Sequence, residues 1–170
     1  MSMRAVVLPL AMLLAGPAFG PSSATTPAAP GASWGWPVIG PVIRGFDPPD
    51  TPYGAGHRGI DIAVAVGTVV LAPEAGTVVF AGPVGGQLFL TLDHGAELVS
   101  TYSWLSSTLV RKGDVVAGGQ PIATTGLGHP GSGVPHLHFG AKRSGNYVDP
   151  LELLVPLGVA DLIHLAPLVA

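Results

Sequence analysis

Residues 58–105 read RGIDIAVAVGTVVLAPEAGTVVFAGPVGGQLFLTLDHGAELVSTYSWL, and this stretch decides the fold. It divides into RGIDIAV (58–64), GTVVLAP (67–73), GTVVFAG (76–82), QLFLTLD (87–93) and ELVSTYSWL (97–105). Each run is short, rich in β-branched and aromatic residues, and bounded by Gly, Pro or Asp, which is the pattern of strands joined by turns. Gly85-Gly86 and Asp93-His94-Gly95 are turn signals between such runs. Downstream, RKGD (111–114) predicts another turn, and PIATTG (121–126) and HLHFGAK (136–142) predict two more strands. No stretch before residue 150 keeps a 3.6-residue apolar period, and DPLELL (149–154) has room only for a short helix. The expected fold is mainly β: a compact antiparallel β-sandwich or barrel-like single domain.

Outward from this block the composition changes. Residues 1–24 combine Arg4, an apolar run over 5–15 and small residues beyond it, the parts of a secretory signal peptide. The apolar run is shorter than the roughly 20 residues a bilayer-spanning helix needs. Residues 25–33 are small, polar and Pro-rich and read as a flexible linker. The β domain is expected over 34–155, with Trp34 and Trp36 packing on its core and 36–57 extended over its surface. Residues 156–170 form an apolar tail interrupted by Pro156, Gly158, Asp161 and Pro167. A secreted or cell-envelope protein with no stable membrane span after processing is therefore expected, as a monomer. Charged residues are 10% of the chain, the formal net charge is −3 and no basic run occurs, which argues against nucleic acid as a partner. There is no cysteine, so neither a disulfide framework nor a lipid-modified cysteine is available, and stability must come from the core or a bound metal.

Two short motifs carry chemistry. In V-P-H-L-H-F-G (134–140), His136 and His138 sit two residues apart on a strand and so share a face. In Y-G-A-G-H-R-G-I-D-I-A (53–63), His57 lies in a Gly-rich turn and Asp61 sits between Ile60 and Ile62. A carboxylate in an apolar strand is costly to bury unless a cation or donor pairs with it. His57, Asp61 and one histidine of the 136–138 pair make two imidazoles and a carboxylate. That set suits Zn2+ with a fourth position left to water, the arrangement of catalytic zinc.

The order H-R-G-I-D-I-A, G-T-V-V-L-A, a G-x-V strand and P-H-L-H-F-G resembles the lysostaphin-type (LytM-type) zinc metallopeptidases, over roughly residues 36–154. The resemblance implies a secreted zinc endopeptidase that hydrolyses peptide bonds of bacterial cell-wall peptidoglycan, with peptidoglycan peptides as its partner. It further implies His57, Asp61 and His138 as the zinc ligands and His136 as the catalytic residue that takes or steers the proton of the attacking water. The family pattern Y-x-H-L carries a second catalytic histidine, and this chain has Y-S-W-L, with Trp104 in that place. Tryptophan offers one N–H donor and cannot accept a proton. A slowed enzyme is one expectation. A peptidoglycan-binding or hydrolase-regulating envelope module is the alternative.

Three further side chains are candidates for contact with substrate. Trp104 could stack on a sugar or peptide face. Tyr102, two residues earlier, is expected on the same strand face as Trp104. His129, in G-L-G-H-P-G-S-G, lies on the loop leading into H-L-H and is within reach of the site if that loop folds inward. His94 reads as a turn residue, and His164 in the tail has no assigned role.

Overall fold

The computed structural model describes residues 34–51 and 54–157, so the predicted signal peptide, the linker and residues 158–170 of the tail lie outside it. Ten strands form: β1 (Val42–Arg44), β2 (Ile60–Ala63), β3 (Val69–Leu71), β4 (Gly76–Val84), β5 (Gln87–Asp93), β6 (Leu98–Thr108), β7 (Val115–Val116), β8 (Pro121–Thr125), β9 (His136–Arg143) and β10 (Asn146–Val148). The seven runs read from sequence are β2 to β6, β8 and β9. The three additional strands hold only two or three residues each, too few for alternation to register. The DPLELL segment gives a single 3₁₀ turn at Pro150–Glu152, capped by Asp149, whose carboxylate accepts the Leu151 N–H.

All strand pairs are antiparallel, and the sheet runs β1-β2-β9-β6-β5-β4-β7, with β10 continuing along the edge of β9 that pairs with β2 and the β3–β8 pair attached to β6. The antiparallel β class therefore holds, and its layers come from one continuous open sheet that forks at β6. Leu98–Ser103 of β6 pair with β9, whereas Leu105–Thr108 pair with β8. Trp104 lies at the fork. Opposite it, Phe89 pairs with Ser103 and Leu88 with Leu105, so Trp104 is the extra residue of a β-bulge.

The β2–β9 pair has two working faces. Ile60, Ile62, Leu137 and Phe139 are fully buried and build the core with Leu90, Leu92, Ile122 and Trp34. Each such side chain stabilises the fold by about 1.5–3 kcal/mol relative to exposure. Trp34 packs its ring against Phe139 and His94, and its indole N–H donates to Glu74 Oε2 at 2.9 Å. Trp36 donates to the Val155 carbonyl at 2.7 Å, so both tryptophans tie the start of the domain to its body. The intervening residues, Asp61, His136 and His138, point to the opposite face. No helix among the described residues is long and apolar enough to cross a membrane.

Candidate metal centre

Asp61 and His138 are directly opposed across the β2–β9 pair, and His136 stands two residues along, opposite Ala63. His57 joins them from the loop before β2. A two-way backbone bridge holds that loop: Asp47 N–H to the His57 carbonyl at 2.9 Å, and His57 N–H to the Asp47 carbonyl at 2.6 Å. The glycine of H-x-G-x-D has a steric cause. A Cβ on Gly59 would lie 2.3 Å from the Phe139 carbonyl oxygen, so only glycine lets the chain run from His57 into β2 against β9.

Three atoms converge as a result. His57 Nε2 lies 3.0 Å from Asp61 Oδ1 and 3.1 Å from His138 Nδ1, and His138 Nδ1 lies 2.8 Å from Asp61 Oδ1. The tautomer of His57 is dictated by its other nitrogen. Nδ1 is 2.7 Å from the Gly45 carbonyl oxygen, an acceptor only, so Nδ1 carries a proton and, in the neutral imidazole, Nε2 presents a lone pair. That lone pair faces a carboxylate oxygen, and both residues are only 3% exposed. A proton on His138 Nδ1 must be shared between Asp61 and His57, whereas a cation at the centre attracts all three. Ligand distances of about 2.0–2.1 Å in a tetrahedral zinc site imply ligand–ligand edges of about 3.3–3.4 Å. The observed separations approach that figure, so the donor set fits zinc in number, type and spacing.

His129 comes in from the loop between β8 and β9. Its Nε2 is 3.2 Å from His138 Nδ1 and 3.5 Å from Asp61 Oδ1. The ligating atoms of His57, Asp61, His129 and His138 all lie within 4.8 Å of one another. Expected as a substrate contact, His129 thus stands among the candidate ligands. Burial raises the Asp61 pKa, but the hydrogen bond from His138 and the fields of His138, His57 and His129 outweigh it and hold the carboxyl below its usual range. Burial pushes the His129 imidazole down, helped by the neighbouring histidines and opposed by Asp61, which favours its neutral, ligating form.

His136 is fully buried beside this group. Its Nδ1–H donates to the Val134 carbonyl at 2.8 Å, with Ser132 Oγ at 3.1 Å, so Nε2 is the basic atom. Nε2 sits 3.7 Å from Asp61 Oδ2 and accepts the His129 backbone N–H at 3.1 Å.

Trp104 borders the centre. Its ring centroid is 5.1 Å from that of His129 and 6.0 Å from that of Phe89. Its φ is +63°, in the left-handed region, which bulky side chains rarely occupy. Such bulges re-aim a side chain next to functional sites. With Gln87, Leu127, His129, Val134 and Pro135, Trp104 lines a groove of about 440 Å³. Tyr102 corrects the expectation that it shares a face with Trp104 and meets substrate. It is 0% exposed, and its hydroxyl lies 2.9 Å from Ser100 Oγ, which in turn is 2.8 Å from His94 Nε2. Burial raises its phenol pKa far above the ordinary value. The bulge at Trp104 interrupts the alternation and leaves Tyr102 in the core.

Residues 55–150 match the model of peptidase family M23, more than half of the chain. The chain belongs to this family. It is 35% identical over 135 residues to the murein hydrolase activator NlpD of Salmonella dublin, covering 78% of this chain and 34% of that protein. It is also similar to a zinc-containing peptidase from Vibrio cholerae, with 29% identity, a TM-score of 0.62 and coverage of 73% of this chain and 41% of that one. The catalytic domain of the antimicrobial peptidase lysostaphin from Staphylococcus simulans matches with 28% identity and a TM-score of 0.55, over 64% of this chain and 86% of that one. The chain spans between a third and about half of the length of the first curated relatives it matches. Membership of M23 fixes the lysostaphin-type resemblance and the antiparallel β class.

Proposed function

We propose that this chain is an exported, zinc-dependent endopeptidase that hydrolyses peptide bonds of bacterial peptidoglycan at the cell envelope. The observation that carries the reading is the forced tautomer of His57. In neutral His57 the buried lone pair, the Asp61 carboxylate and His138 Nδ1 all face one point, an arrangement that a shared cation satisfies. In this reading His57, Asp61 and His138 hold the metal. Bound zinc supplies a Lewis acid for the scissile carbonyl and lowers the pKa of a water. His136 takes a proton at Nε2, because its Nδ1–H is held by the Val134 carbonyl. The groove beside Trp104 receives the peptide on the side of the centre where His129 stands.

A second reading is supported by one observation: Trp104 occupies the place of the family's second catalytic histidine. A hydrolase-regulating module would not need that histidine, and the Salmonella relative is named as an activator. Digestion of purified peptidoglycan by residues 25–170 with zinc, read by mass spectrometry, separates the two. The endopeptidase reading expects new muropeptides that vanish with a chelator and in His136→Ala. Zinc-loaded protein that yields no new products would favour the regulator.

A further inference from the structure

We infer that His129 closes the metal centre twice: its imidazole fills the fourth coordination position, and its backbone N–H occupies the lone pair of His136 Nε2. The inference rests on the reading that this centre holds zinc, and it specifies the state in which the centre rests. The first half comes from the distances. His129 Nε2 is 3.2 and 3.5 Å from the His138 and Asp61 ligand atoms, close to the edge length of a tetrahedral zinc site, and all four ligand atoms lie within 4.8 Å of one another. Four protein ligands leave no position for water, which is the arrangement of structural rather than catalytic zinc. The second half comes from the 3.1 Å bond between His129 N–H and His136 Nε2. A base whose only free lone pair accepts a backbone hydrogen bond cannot receive a proton until that bond breaks.

One residue therefore silences both the metal and the base, and the segment carrying it is built to sit on them. Gly128 has φ +83°, and a Cβ there would lie 2.3–2.6 Å from three atoms of the His136 ring, so the loop rests directly on that ring. Ser132 Oγ reaches the other edge of the same ring at 3.1 Å. Trp104 packs on the His129 imidazole from the groove side. Residues 130–134 are exposed; apart from the Ser132 contact, the Val134 carbonyl accepts the His136 Nδ1–H at 2.8 Å, and the other hydrogen bonds of this segment among the described residues stay within the loop. Lifting this segment would open a coordination position and free Nε2 in one movement. A peptide carbonyl or a small metal-directed ligand then enters where the His129 ring had been.

The test uses the full chain loaded with zinc and, in parallel, with cobalt. X-ray absorption is expected to count three imidazoles in the native protein and two in His129→Ala. Chelator competition is expected to show zinc held at least about tenfold more weakly in His129→Ala, the low end of what even an outer hydrogen-bond partner costs. Acetohydroxamate should perturb the cobalt spectrum of His129→Ala at a concentration at least about tenfold lower than it needs for the native protein, a factor of the same order. Gly128→Ala keeps the imidazole but pushes the loop off His136, and its hydroxamate response should move toward that of His129→Ala. Native protein that binds zinc but shows two imidazoles, with unchanged affinity and hydroxamate response in both variants, overturns the latch alone. Native protein that takes up no zinc overturns the latch and the proposed function together.

Discussion

Replacing Trp104 with histidine restores the Y-x-H-L pattern that the sequence resemblance implies. Trp104 is the bulged residue where β6 changes partner from β9 to β8, and its φ of +63° aims the side chain at the His129 ring 5.1 Å away. Histidine occupies positive φ more readily than tryptophan, so Trp104→His fits the backbone already present. A left-handed conformation costs an L-residue about 1–2 kcal/mol, and part of that is recovered. Against it stands lost packing on Phe89 and His129 of a half-buried ring, worth about 1–3 kcal/mol. The two nearly cancel, so the melting temperature should move by less than about 5 °C. The catalytic effect is larger. One donor at a developing oxyanion is worth on the order of 10²–10³ in rate, or about 2.7–4 kcal/mol. The comparison belongs in the His129→Ala background, where the centre is open. Muropeptide release by Trp104→His with His129→Ala should exceed that of His129→Ala alone by on the order of 10²-fold. A double variant that folds, holds zinc and is no faster would refute the argument that the bulge aims this position at the reacting group.

Three other outcomes are expected. Zinc at about a hundred times its Kd should stabilise the domain by about 2.7 kcal/mol and raise its melting temperature by roughly 10 °C. A chelator should reverse the gain, and Asp61→Asn should show less than half of it, both readable by thermal denaturation. Tyr102→Phe should leave muropeptide turnover unchanged and cost about 1–2 kcal/mol in denaturant unfolding, because the Ser100 hydroxyl loses a buried partner. The third concerns pH. Burial lowers the His94 pKa in the folded state, against the Ala75 carbonyl bond and the charges of Glu74 and Asp93, so the unfolded chain binds this proton more readily. Stability from this site is complete above the unfolded pKa of 6.5 and declines as pH falls below it toward the folded value. Chelated protein should therefore melt lower at pH 5 than at pH 7, and His94→Gln should flatten that slope.

The strands were legible because their residues alternate over runs long enough to count, and the two metal motifs because their spacing is tight. Gly59 between His57 and Asp61 carries a backbone constraint that a reader of H-x-G-x-D can anticipate. The register that sets Asp61 opposite His138 was not legible, since it depends on a pairing across 77 residues. The fork at Trp104 left no mark either. Nothing in Y-S-W-L announces a bulge, and a bulky residue at positive φ runs against local preference. That one irregularity misplaced Tyr102, whose position was inferred from unbroken alternation. His129 showed only as a histidine in a glycine-rich loop. Its place beside Asp61 follows from Gly128 resting on the His136 ring, a contact that only the folded chain reveals.

The most direct test of the metal centre is the zinc content of protein purified without chelator. The account predicts one equivalent per chain, falling well below that in Asp61→Ala and His138→Ala with the fold retained. Well under one equivalent in the native protein, after exposure to zinc, would contradict it.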